Sequence, residues 1–142
     1  MDKPDDSSRE APPPAIRSAF GGLLGALSRR RSGDRVVYGM VADERLVNEA
    51  GVVHGGAITA LFDEVLGSFV HDTRGGAHVT VQISTVFLRP VRVGDFIEFA
   101  HEIVEATRSM TFVEGRLIVD GAVVARAQMI FKARRTEVGS AL

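Results

Sequence analysis

The sequence predicts an α+β domain in which one long helix is covered by a strongly curved antiparallel sheet. Three observations predict it. A broad apolar face at helical spacing begins just after His54. Strand-like segments follow, from Val79 to Lys132. Short turns separate most of these segments, so consecutive strands run antiparallel. One helix against so much sheet is a two-layer arrangement in which the sheet must wrap the helix.

Taken in order, residues 1–14 are polar and charged and end in Pro12-Pro13-Pro14. Such a composition cannot bury a core and reads as a disordered tail. Ile16, Phe20, Leu23, Leu24 and Leu27 then fall on one face of a helix, so residues 15–33 are expected to form an amphipathic helix and a linker. Gly21, Gly22 and Gly25 weaken that helix, which therefore needs a surface to dock on. Arg29-Arg30-Arg31 would sit at its C-terminal end, where the dipole favours cations. A helix lying on a membrane surface is the alternative reading of the same pattern. A strand opens at Arg35 with Val36, Val37 and Tyr38, and the pattern breaks at Asn48–Gly51. The long helix follows His54. Strands are expected over Val79–Arg89, Phe96–Glu105, Met110–Val119 and Ala122–Lys132, ordered as a meander. Asp120-Gly121 lies between the last two, the pair a type I′ hairpin turn requires. The domain thus spans residues 34–133, with a tail over 134–142. No internal repeat is present.

Composition excludes several function classes. The chain has 142 residues, enough for one domain, and 45% of them are apolar, enough for a core. With no cysteine, a disulfide framework, a zinc knuckle, an iron–sulfur ligand and a thiol nucleophile are all excluded. A formal net charge of -1 gives no global attraction to nucleic acid or an anionic membrane, and neither is expected as a partner. No apolar run approaches the roughly 20 residues that span a bilayer. Asp2, Asp5, Asp6 and Glu10 stand where a signal peptide carries positive charge, so a cytoplasmic protein is expected. There is no Walker A sequence, no Gly-x-Ser-x-Gly elbow and no HExxH pair. His54, Asp63 and His71 are the one candidate metal set by spacing, and none is expected to bind metal.

The chemistry concentrates between Asn48 and Glu64. On the helix, Ile58, Leu61, Phe62, Val65, Leu66, Phe69 and Val70 form the apolar face. Ala57, Ala60, Gly67 and Ser68 fill most of the other side, so a second segment or subunit is expected close behind. At 100° per residue, Asp63 lies about 120° from the centre of the apolar face, at its border, while Glu64 points to the far side. A carboxylate on the flank of a largely buried helix is costly without a partner or a task; a solvated acid on an exposed strip is the other reading. His54-Gly55-Gly56 enters the helix. Glycines there let a ligand or another backbone approach, and the free N–H groups of the first turn can bind phosphate or an oxyanion. A tight turn into a helix accounts for the same residues.

Together these residues resemble the hotdog-fold acyl-CoA thioesterases, in particular the PaaI-like and 4-hydroxybenzoyl-CoA thioesterase group. The matching pattern is Asn48, then His54-Gly55-Gly56 after six residues, then Asp63 nine residues beyond the histidine. Thr80, ten residues before Pro90, and Gly94-Asp95 match further on. The similarity covers residues 34–133 and leaves the N-terminal segment outside. The resemblance implies a hotdog fold and a thioesterase that hydrolyses acyl-CoA. It implies that Asp63 is nucleophile or general base, that Gly55 with Gly56 holds the thioester oxygen, that Asn48 and His54 position thioester or water, and that Thr80 orients the water or the carboxylate. It also implies a site built across a homodimer interface, in a dimer or dimer of dimers (a homotetramer), with no cofactor, CoA being part of the substrate. Such chemistry suits a thioester, whose leaving group is already good. Arg89, Arg108, Arg116, Arg134 and Arg135 are candidates for the CoA phosphates, although solvated surface charges account for them as well. Phe62, Leu66, Phe69, Val70 and Phe87 are candidates for an apolar acyl wall, and core packing is the alternative. A non-catalytic acyl-CoA-binding hotdog module is the rival reading of the whole.

Overall fold

The computed structural model describes residues 15–135. The tail expected over residues 1–14 lies outside the described residues, as do residues 136–142. A single helical turn, α1 (Ala19–Gly22), is followed by strands β1 (Ser28–Ser32) and β2 (Arg35–Val41). Then come the long helix α2 (Gly55–Arg74) and strands β3 (His78–Phe87), β4 (Phe96–Ala106), β5 (Met110–Val119) and β6 (Ala122–Ala133). All strand pairs are antiparallel, in one six-stranded sheet of order β1-β2-β4-β5-β6-β3. The sheet curves around α2, which is the hotdog arrangement. Among the described residues, no helix is long and apolar enough to cross a membrane.

The core is the apolar face of α2 pressed into the inner face of the sheet. Leu61, Phe62, Leu66 and Val70 meet Ile97, Leu117, Met129 and Phe131, all at most 1% exposed. Gly115 lies in this contact: a Cβ there would stand 2.9 Å from Leu66, so the helix approaches the sheet too closely for any side chain. The far end of α2 is pinned by Arg74, whose guanidinium donates to the Met110 and Thr107 carbonyls and to the buried Thr111 hydroxyl. Asp120 and Gly121 take φ of 49° and 78° between β5 and β6, as the expected type I′ turn demands.

Two expectations are corrected. The strands after α2 do not form a four-strand meander. Only β4, β5 and β6 do, and β3 pairs with β6 at the opposite edge of the sheet from β1. Alternation determines which face a residue occupies, not which strand is its neighbour. Eight residues separate β3 from β4, more than a tight hairpin uses, and they carry the chain back to the centre of the sheet. The amphipathic helix expected over 15–33 is reduced to the one turn of α1. Gly25 takes φ +131°, outside any helix, and three glycines cost a helix roughly 1 kcal/mol each. Arg29, Arg30 and Arg31 consequently stand on the edge strand β1, not at a helix end.

The N-terminal segment still docks as expected. Ala15 N–H donates to Ser68 Oγ at 3.2 Å, Arg17 makes a two-pronged pair with Asp72, and the Ser18 hydroxyl donates to Glu64. Of the small residues on that side of α2, Ser68 is thereby covered by the chain's own N-terminal segment, whereas Gly67 faces Phe131.

Candidate active site

Asp63 and Glu64 are adjacent in sequence and have separate surroundings. Glu64 is held on the far side of α2 by Ser18 and packs where a Gly21 Cβ would stand, 2.7 Å from its carboxylate. Asp63 is exposed, on the flank of α2 that faces β3. The Thr80 hydroxyl donates to Asp63 Oδ1 at 2.7 Å, which leaves Oδ2 without a hydrogen bond among the described residues. One helical turn earlier, Thr59 Oγ1 bonds Thr85 Oγ1 at 3.3 Å. A polar seam therefore joins α2 to β3 on this side.

The orientation of Thr80 depends on a bulge. Sequence alternation groups Thr80 with Gln82 and Ser84, away from Ile83. In the structure the register with β6 shifts between Thr80 and Gln82. Val81 is the extra residue and is 54% exposed. Thr80 and Ile83 consequently face the same side, opposite the inward-facing Phe131 and Met129. A bulge re-aims side chains next to a site, and here it turns a hydroxyl toward the carboxylate.

The glycine turn enters α2 at its positive end. His54 is the N-cap: its Nδ1 accepts from Gly56 N–H at 2.8 Å. That bond assigns the ring proton to Nε2 when the imidazole is neutral. It also occupies the Gly56 N–H, which was expected beside Gly55 on the thioester oxygen. The Gly55 N–H has no acceptor among the described residues, so of the two it is the one left free. A Cβ on Gly55 would lie 3.1 Å from the Phe87 ring, so this turn and the end of β3 are in contact. Asn48 is exposed, and its Oδ1 accepts from Ala50 and Val52 N–H, shaping the loop before the turn.

Asp63 and Gly55 are eight residues apart on one straight helix, about 12 Å along its axis. A reacting carbonyl must lie roughly 3 Å from both nucleophile and oxyanion donor. One chain therefore brings Thr80 to Asp63, and His54 to Gly56, but does not bring the acid to the glycine turn. Phe62 and Leu66, expected on a substrate wall, are 1% exposed core side chains packed against Gly115. They sit at the centre of the apolar face of α2, within the core. Arg89 lies on the rim of an open groove of about 400 Å³ that begins at Gly55. Arg116 projects from the outer face of the sheet, beside Gly115. Among the described residues, no three His, Asp or Glu side chains cluster as metal ligands do.

On β4, His101 is a half-buried titratable group. Its ring stacks on Phe69 of α2, centroids 3.9 Å apart, and its Nδ1 is buried without a hydrogen-bond partner. Burial disfavours the imidazolium and holds its pKa below the ordinary histidine value.

Residues 50–130 match the family model described as the thioesterase superfamily. The Pseudomonas aeruginosa protein named "Putative esterase PA0474" is 31% identical over 112 residues, which cover 77% of this chain and 84% of that one. The chain therefore belongs to the thioesterase superfamily. It spans only 22% of the length of YtoI from Bacillus subtilis, to which it is 26% identical over 97 residues. Among solved structures, the conserved protein PA5202 of Pseudomonas aeruginosa superposes with a TM-score of 0.71 at 27% identity, over 82% of this chain and 94% of that one. The Streptococcus mutans protein smu.793, solved bound to acetyl CoA, superposes with a TM-score of 0.66 at 25% identity, over 70% of this chain and 80% of that one.

Proposed function

We propose that the protein hydrolyses acyl-CoA thioesters to the free acid and CoA, in a site shared by two copies of the chain. The observation that carries this reading is the pairing of an exposed, Thr80-held Asp63 with a free Gly55 N–H at a helix N-terminus. Asp63 acts as general base on water or as nucleophile on the thioester carbon. In either case the carbonyl oxygen gains negative charge in the transition state, and the Gly55 N–H and the helix dipole stabilise it. The thiolate then leaves, and water supplies the second oxygen of the acid. Asn48 and His54 flank the turn and position thioester or water. CoA enters as substrate, and the chemistry needs no further cofactor. The acetyl-CoA-bound Streptococcus mutans relative supports a CoA thioester.

The 12 Å gap supports a homodimer, since a second copy must supply the missing half. The two sheet edges differ in a way that favours β3 as the joint. β1 carries three arginines on five residues, and charges of that kind protect an edge from pairing. β3 has ten residues and no Asp, Glu, Lys or Arg, and it leaves Val81, Val86 and Phe87 more than half exposed. Its two ends carry the two halves of the site: Thr80 with Asp63, and Phe87 with Gly55. Antiparallel self-pairing about a two-fold near Ser84 sets Phe87 of one copy opposite Thr80 of the other. That delivers each acid to the other chain's glycine turn. Two such units would make the dimer of dimers.

Asp63→Asn tests the reading. It should abolish thiol release from acyl-CoA while leaving the assembly and CoA binding as in the wild type. Unchanged turnover would remove Asp63 from the mechanism. A wild-type chain that binds CoA thioesters without cleaving them would instead be a binding module.

A further inference from the structure

We infer that Thr59 and Thr85 read the acyl group, and that the enzyme selects acyl chains with a neutral oxygen about five bonds beyond the thioester carbonyl. This rests on the proposal of a shared hydrolytic site and names its substrate class. Three contacts join one flank of α2 to β3, at Gly55, Thr59 and Asp63, one helical turn apart. A Cβ on Gly55 would stand 3.1 Å from the Phe87 ring. The Thr59 hydroxyl donates to Thr85 Oγ1 at 3.3 Å, and the Thr80 hydroxyl donates to Asp63 Oδ1 at 2.7 Å. The outer two contacts are the two halves of the proposed site. The middle one has no part in the chemistry.

Three features assign it to the acyl group. The first is position. Thr59 lies about 6 Å along the helix axis from both Gly55 and Asp63. Pairing of two copies at β3 near Ser84 sets the middle contact of each copy beside the two-fold, between the two shared sites. The nucleotide of CoA is too bulky to lie there and leads out to solvent, so a carbonyl held at Gly55 directs its acyl chain inward, toward the threonines. At roughly 1.2 Å per bond of extended chain, five bonds cover the distance. The second feature is an unspent donor. Two hydroxyls carry two O–H groups, and the bond between them uses one. The other has no acceptor among the described residues, and both side chains belong to half-buried residues. A donor withdrawn from water is costly unless something accepts from it. The third is charge. β3 carries no Lys or Arg, and Asp63 lies one turn away on α2, so an acyl carboxylate would be repelled with nothing to balance it. The matching acyl group bears a keto or hydroxyl oxygen.

The test uses three CoA thioesters: hexanoyl-, 5-oxohexanoyl- and 5-methylhexanoyl-CoA, the last with a methyl group in the place of the oxygen. The wild type should favour the oxo chain over the methyl chain about fivefold in kcat/KM, the worth of one neutral hydrogen bond. Replacing both threonines, Thr59→Val with Thr85→Val, should remove that preference, and Thr59→Ser with Thr85→Ser should keep it. A pair that only ties the helix to the sheet would lower all three rates alike and leave their ratio in place. A wild type without the preference, or a preference that survives in the valine double variant, overturns the assignment. A wild type that cleaves no acyl-CoA fails the hydrolytic reading by itself. Equilibrium binding of the same three thioesters then judges the threonines: tighter binding of the oxo chain that the valine variant loses supports them, and equal affinities overturn them.

Discussion

Replacing Thr80 by valine removes one hydroxyl and almost no volume. The hydroxyl donates to Asp63 Oδ1 at 2.7 Å. Hydrogen bonds to a charged group contribute roughly 1.5–3 kcal/mol, and solvent exposure of both residues puts this one at the low end. A loss of about 1.4 kcal/mol in the transition state is a tenfold fall in kcat. On the proposed mechanism the effect belongs in kcat and not in KM, because the Thr80 hydroxyl holds the reacting carboxylate and not the substrate. Stability should change by less than about 0.5 kcal/mol, as for most exposed substitutions. Thr80→Ser keeps the hydroxyl and should keep most of the activity. Thiol release read with a thiol-reactive dye suits the measurement, since a chain without cysteine adds no signal of its own. Valine and wild-type enzymes of equal kcat, or serine and valine variants equally impaired, would refute the positioning role.

Other predictions follow the same geometry. Ser84→Glu places two like charges across the proposed two-fold; sedimentation should report the mass of a single chain, and hydrolysis should be lost with it. A dimeric, active Ser84→Glu protein would move the joint away from β3. Phe62→Ala should cost about 3–5 kcal/mol in denaturant unfolding, as a fully buried aromatic does; a smaller cost with changed acyl selectivity would return Phe62 to the substrate wall. His101 sets a pH dependence. Its folded pKa lies below the ordinary value near 6.5, so the unfolded chain binds the extra proton first. Stability should therefore fall as pH drops below about 6.5, until the folded-state histidine also protonates. Denaturant titrations at several pH values should show this slope, and His101→Phe should flatten it.

Much of the domain was legible in the sequence because its signals are local. The start of α2 follows from the His54 cap and the glycines behind it, and its buried face from the spacing of Ile58, Leu61, Phe62, Val65 and Leu66. The turn at Asp120-Gly121 follows from the positive φ that glycine tolerates. The pattern from Asn48 to Asp63, with Thr80 beyond it, singles out the candidate residues, of which the structure brings Thr80 to Asp63. The N-terminal helix is not legible from amphipathic spacing, because three glycines, with Gly25 at φ +131°, outweigh that spacing.

What the sequence alone determined, then, is local: the buried face and the start of α2, and the limits of the four strands after it to within two residues. Periodicity and capping are properties of a few consecutive residues. Tertiary structure alone decided the neighbours. It put β3 at the free edge beside β6, inserted Val81 as a bulge so that Thr80 turns to Asp63, and tied up the Gly56 N–H on His54 while leaving that of Gly55 free. It also set the acid and the glycine turn about 12 Å apart on one rigid helix. Each of these depends on contacts between residues distant in the chain, where no local propensity acts.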